Sequence, residues 1–139
     1  LGAIGDAQAI PHLAQALQHR DGDVRAAACR VLGAIGDARA IPHLIQALQD
    51  EDSWVRRVAC EVLGAIGDAR AIPHLIQALQ DKYWGVRLAA CRSLGAIGDA
   101  QVVPHLAQAL RDEDKGVRKA AWEMLWQISV RNRILIRVS

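Results

Sequence analysis

The chain has 139 residues, 52% of them hydrophobic and 23% charged, with a formal net charge of +2. That length suits one domain, which would bury roughly 68–70% of its unfolded surface. The near balance of charge excludes a basic nucleic-acid arm or an acidic disordered tail, and no apolar run approaches the roughly 20 residues of a membrane-spanning helix. No basic segment leads into an apolar one, so no signal peptide and a cytoplasmic setting are expected, while Leu1 points to a natural start upstream. Phenylalanine is absent, alanine and leucine abound, and strand-like alternation is confined to the last positions. The expectation is an all-α protein.

Self-similarity organises everything else. Leu1-Gly2-Ala3-Ile4-Gly5-Asp6-Ala7 returns unchanged at Leu32, Leu63 and Leu94, a period of 31 residues, and a partial copy starts at Leu125. The chain therefore opens on the tail of a helix, as a piece of a longer array would. Residues 1–128 form the predicted repeat region, and 129–139 a basic tail or degenerate cap. In each unit Asp37 or its equivalent is an N-cap type, and Pro42 suits a first helical turn. The spacing predicts a short turn at Ala38–Ala40, with 3₁₀ as the candidate geometry, and a short helix from about Ile41 to Gln49. Asp50-Glu51-Asp52 connects to a longer helix over Ser53–Ile66, with Asp52 as its cap and Gly67 in the left-handed position that ends it. Advancing about 100° per residue from Val24 gathers Ala28, Val31, Leu32 and Ile35 into an apolar stripe, to pack on Ile10, Leu13 and Leu17 of the short helix. One such hairpin cannot bury that face alone, whereas a stack of neighbours can.

The recurring letters L-G-x-I-G-D-x-x-A-[IV]-P-x-L-x-x-A-L, followed by V-R-x-x-A, resemble the HEAT-like repeats of the phycobilisome-lyase type and engineered alpha-helicoidal repeats on that consensus. The resemblance covers residues 1–128. It implies a right-handed α-solenoid of HEAT-like helical hairpins, short helices outside and long helices lining a concave surface. It leaves function open, because such repeats serve in lyase subunits, scaffolds and sensors.

Differences between copies mark a candidate surface. The short helix is nearly constant, whereas the long helix varies at Gly22/Ser53/Trp84/Lys115, Asp23/Trp54/Gly85/Gly116, Ala26/Arg57/Leu88/Lys119 and Arg30/Glu61/Arg92/Glu123. The twenty-third, twenty-sixth, twenty-seventh and thirtieth positions fall together on the wheel and predict one ridge per helix. Trp54, Arg57, Glu61, Tyr83, Trp84, Leu88, Arg92, Lys119 and Arg30 are the candidate partner-binding residues, several of them types enriched at interface hot spots. The alternative is drift at unconstrained positions, with Trp54 and Trp84 folded against their own helices.

Other groupings look chemical without adding up to a site. Cys29, Cys60 and Cys91 share one repeat position, and helices packed about 8–10 Å apart hold them beyond disulfide reach. They are expected to pack between repeats in a reducing compartment; bilin attachment or metal binding is set aside because no His or Asp is placed to activate a thiolate. His12, His43, His74 and His105 form a column too widely spaced to share a metal ion, and His19 is a lone loop residue. The Gly-x-x-Gly-Asp loops follow helices and lack the Lys and Ser/Thr of a phosphate loop. Arg25, Arg56, Arg87 and Arg118 are expected to form a structural ladder, either with Asp6, Asp37, Asp68 and Asp99 or with the connection acids. Trp122 and Trp126 replace a Cys and a Gly of earlier copies and predict either a plug over the final core or a dimer contact. Ile134-Leu135-Ile136 continues as helix or strand, and Arg131, Arg133 and Arg137 fall short of a basic cluster.

With no catalytic triad, paired-carboxylate cleft or metal triad, the sequence predicts a protein that is not an enzyme and holds no cofactor. The expected role is an interaction module, a scaffold or sensor region of a longer protein, binding a protein or peptide on the concave face of the long helices. The alternative is a bilin lyase subunit or chromophore-attachment cofactor. Nucleic-acid binding is not expected, since the body outside the tail is near neutral. Self-association through the solenoid ends is a further expectation.

Overall fold

In the computed structural model, residues 7–132 are described, and Ile134-Leu135-Ile136 and the rest of the tail lie outside them. The described elements alternate short and long helices. Short α1 (Ile10–Ala16) precedes long α2 (Gly22–Ile35), and short α3 (Ile41–Ala47) precedes long α4 (Ser53–Ile66). Next come short α5 (Ile72–Ala78), long α6 (Trp84–Ile97), short α7 (Val103–Ala109) and long α8 (Lys115–Asn132). A 3₁₀ turn leads into each of α3, α5 and α7, the first at the predicted Ala38–Ala40. Asp37, Asp68 and Asp99 cap these turns by accepting from the backbone N–H two residues on.

The long helices begin and end where the sequence places their caps. Asp52 Oδ1 accepts from Trp54 N at 2.8 Å, and Gly36, Gly67 and Gly98 close α2, α4 and α6 at φ of 68°, 76° and 72°. The short helix stops earlier than predicted, at Ala47. Leu48 and Gln49 donate to carbonyls three residues back, at 3.1 and 3.0 Å, so the last turn tightens out of α geometry. At the far end Ser129 occupies the place of the stop glycines, and α8 runs on to Asn132, through the predicted boundary at 128. In the extra turn, Arg131 Nη1 donates to Gly95 O and Asn132 Nδ2 to Gly98 O, satisfying the open carbonyl end of α6.

Stacking long helix on long helix and short on long makes two layers, an α-solenoid as predicted. Leu32, Leu63, Leu94 and Leu125 fill the seam with Cys29, Cys60 and Cys91, and Ile41, Leu44, Ile72, Leu75 and Leu106 enter from the short helices. Glycine sets the approach between long helices. A Cβ at Gly64 would lie 2.7 Å from Ser93 Cβ, and one at Gly33 or Gly95 would come closer still to the Val62 or Met124 side chain. Val31, read from the sequence as part of the apolar stripe, is instead exposed. By repeat register it faces away from α4, on the side where Val62 meets Gly33, and no described long helix precedes it.

The arginine ladder takes the second of its two predicted forms. Arg25 Nε and Nη2 reach Asp50 Oδ2 and Oδ1 at 2.8 and 3.1 Å, Arg56 reaches Asp81 at 2.8 and 3.1 Å, and Arg87 reaches Asp112 at 2.9 and 3.1 Å. Each fork thus binds the connection of the following repeat, while its Nη1 donates to a carbonyl of its own connection. The Gly-Asp aspartates instead cap their turns, and Asp37 and Asp68 pair with exposed Arg39 and Arg70. Among the described residues Arg118 reaches the carbonyls of Asp112 and Glu113 and no carboxylate, and it is exposed. Removing one partner of a buried pair leaves the other charge uncompensated. Arg56→Ala should therefore lower the unfolding free energy by about 3 kcal/mol in urea titrations. Arg118→Ala should cost less than about 1 kcal/mol.

Candidate interaction surface

Residues about one turn apart line up along the open side of each long helix. On α4 these are Trp54, Arg57, Glu61 and Ala65; on α6 they are Trp84, Leu88, Arg92 and Ala96. Between the two rows runs a groove of about 500 Å³, walled by Arg57, Glu61 and Ala65 on one side and Leu88, Arg92 and Ala96 on the other. Gly64, Ala89 and Ser93 form its base. The base is stiff: Ser93 is buried, and its hydroxyl donates to the Cys60 carbonyl of the preceding long helix.

Several of the predicted residues form one connected network. The Trp54 ring, 39% exposed, has the Arg30 guanidinium 5.3 Å and the Arg57 guanidinium 5.9 Å from its centroid. Arg57 in turn pairs with Glu61 at 3.2 Å. Leu88 and Arg92 face that pair across the groove, and Arg92 has no ion pair among the described residues. Tyr83 and Trp84 meet at a tilt of 49° at the start of α6, with centroids 5.6 Å apart, and Tyr83 lies against Gly85. Neither lines the groove. Lys119 is on α8, 4.0 Å from Glu123, and also stands apart from it.

The ridge is narrower than the wheel predicts. Val58, Ala89 and Ala120, all at the twenty-seventh repeat position, are buried, as is Ala26. A long helix in a stack buries flanks against both neighbours as well as a face against its short helix, so its apolar arc is wider than one stripe. Gly64 at the base and Ala65 and Ala96 on the walls escaped the comparison of copies because they do not vary between repeats, whereas Ala89 and Ser93 of the base stand at positions that do. Trp122 and Trp126 do not plug the core either. They are 52% and 66% exposed, and the final layer is closed by Ala121, Leu125 and Ile128.

Elsewhere the chemistry is quiet. All three thiols are buried, and loss of water pushes Cys29 up to about 11 and Cys60 and Cys91 up to about 12. The Asp37 carboxyl is held down at about 2, chiefly by the hydrogen bond from the Arg39 side chain. His43, His74 and His105 line shallow clefts between successive short helices. Among the described residues, no three His, Cys, Asp or Glu are grouped to hold a metal ion.

A stack of helical hairpins closed by repeat-to-repeat pairs defines a class, the α-solenoid repeat proteins. Within that class a family model described as HEAT repeats matches residues 1–57 and 41–126, and the chain belongs to the HEAT repeat family. Human deoxyhypusine hydroxylase in complex with glycerol is similar at 29% identity and a TM-score of 0.83, over 96% of this chain and 48% of that one. The complex of CpcE and CpcF of phycocyanin lyase from Nostoc sp. PCC7120 is similar at 26% identity and a TM-score of 0.77, over 92% and 55%. An engineered protein is similar at 25% identity and a TM-score of 0.69, over 86% and 62%. The chain thus spans about half to three fifths of the lengths of these structures. No curated protein matches.

These neighbours overturn the expectation that the protein is not an enzyme, because two of them are named for enzymes. The physical reason lies in the architecture. A repeat frame is indifferent to the chemistry mounted on it, so the lack of a catalytic cluster in one stretch of repeats carries no weight against activity. No described helix is long and apolar enough to cross a membrane.

Buried neutral thiols react slowly because the thiolate is the nucleophile. Iodoacetamide at pH 8 should leave Cys29, Cys60 and Cys91 unmodified in the folded chain and label all of them in urea, as read by intact mass.

Proposed function

We propose that this HEAT repeat scaffold works as a protein-interaction module, holding a protein or peptide against the open face of its long helices. The observation that supports the reading is the groove between α4 and α6, continuous with the Arg30–Trp54–Arg57–Glu61 network. Its base is fixed by buried contacts, so little conformational entropy is lost when a partner docks. Trp54, Leu88 and Arg92 are the residues that would carry most of the contact energy. Tyr83, Trp84 and Lys119 lie further along the same face and would extend the contact with a larger partner.

The test compares two faces of one protein. Trp54→Ala combined with Leu88→Ala and Arg92→Ala should abolish quantitative co-purification of the partner while the circular dichroism spectrum stays helical. His43→Ala with Gln46→Ala, on the short-helix side, should leave it unchanged. Equal retention by both variants overturns the assignment to the long-helix face.

The similarity to the phycocyanin lyase complex over 92% of the chain supports a second reading, a component of bilin attachment. On that reading, co-expression with a phycobiliprotein and a bilin should raise visible absorbance of the purified phycobiliprotein above that of a strain lacking this chain. Identical spectra eliminate it.

A further inference from the structure

The groove between α4 and α6 has an uneven charge, and this inference deepens the interaction reading and rests on it. Arg57 and Glu61 satisfy each other at 3.2 Å. Arg92, exposed on the opposite wall, has no ion pair among the described residues. One turn earlier on the same wall stands Leu88, half-buried, above the buried Ala89. The site therefore offers an apolar contact and an uncompensated guanidinium, separated along the helix axis by four residues, about 6 Å.

We propose that the groove takes an extended segment of a partner protein in which an Asp or Glu lies two residues from an aliphatic or aromatic residue. The carboxylate binds Arg92 and the apolar side chain covers Leu88. In an extended chain, side chains two residues apart project on the same side, about 6.6 Å from one another, which matches the spacing of the two receiving groups. The guanidinium fork donates two parallel hydrogen bonds to a carboxylate, which a neutral amide cannot accept in the same way. A basic segment would be repelled by Arg92 and would find Glu61 already engaged by Arg57. The volume, about 500 Å³, suits a few extended residues better than a helix about 10–12 Å across.

The experiment pans a random-peptide phage library against the whole chain and against Arg92→Glu and Leu88→Asp variants, each checked for helical content. The wild-type chain should enrich peptides with Asp or Glu two positions from an apolar residue. A synthetic peptide of that consensus should bind Arg92→Ala about tenfold more weakly than wild type. Arg92→Glu should switch the enrichment to Lys or Arg at the same position, and Leu88→Asp should abolish it. Wild-type enrichment without an acidic position, lost in Leu88→Asp, overturns this inference and leaves the interaction surface standing. The same peptides enriched by wild type and by Leu88→Asp, or no enrichment by any form, overturn the surface itself.

Discussion

A guanidinium buried near the start of one long helix finds its carboxylate only in the loop of the following hairpin. Arg25, Arg56 and Arg87 each span that boundary, and each also holds a carbonyl of its own loop. The receiving carboxylate is further committed: Asp50 and Asp112 accept from the backbone N–H of Asp52 and Asp114, and Asp81 from that of Tyr83. One bridge therefore fixes loop shape and repeat spacing together. Such geometry makes the hairpin incomplete by itself, and stability resides in the boundaries as much as in the units.

The open groove between α4 and α6 follows from that fixed spacing. Because glycine lets each long helix approach its neighbour closely, the seam between α4 and α6 is closely packed, and small residues beside it leave a groove open above. The walls then carry the exposed Arg92, the Arg57–Glu61 pair and the half-buried Leu88, which also packs against the core. This division explains how a nearly constant frame can carry different surfaces, and why kinship with enzymes and with an engineered protein coexists in one fold.

Much of the frame was legible because it is written in punctuation. Asp52, Pro42 and Gly67 each have one local task, and the 3₁₀ turn, the long helix and its left-handed end sit at the residues that spacing indicates. The fold class is likewise carried by a period that only stacking can satisfy. Features that depend on a neighbour were less accessible. Val31 and Val58 have the same kind of side chain and opposite fates, decided by which neighbouring helix lies alongside. The partner of the arginine ladder needed the offset between repeats, which no single unit encodes. Part of the groove was invisible for the converse reason, since Gly64, Ala65 and Ala96 stand at positions that give no contrast between copies.

Trp54 belongs to α4, yet one of its two cationic neighbours, Arg30, comes from α2, a repeat earlier. The indole therefore sits astride a joint. Any flexing of the solenoid that opens the angle between those helices loosens one guanidinium while leaving the other, from the same helix as the ring, in place. Curvature of the array is in this way converted into the attitude of a single aromatic plane.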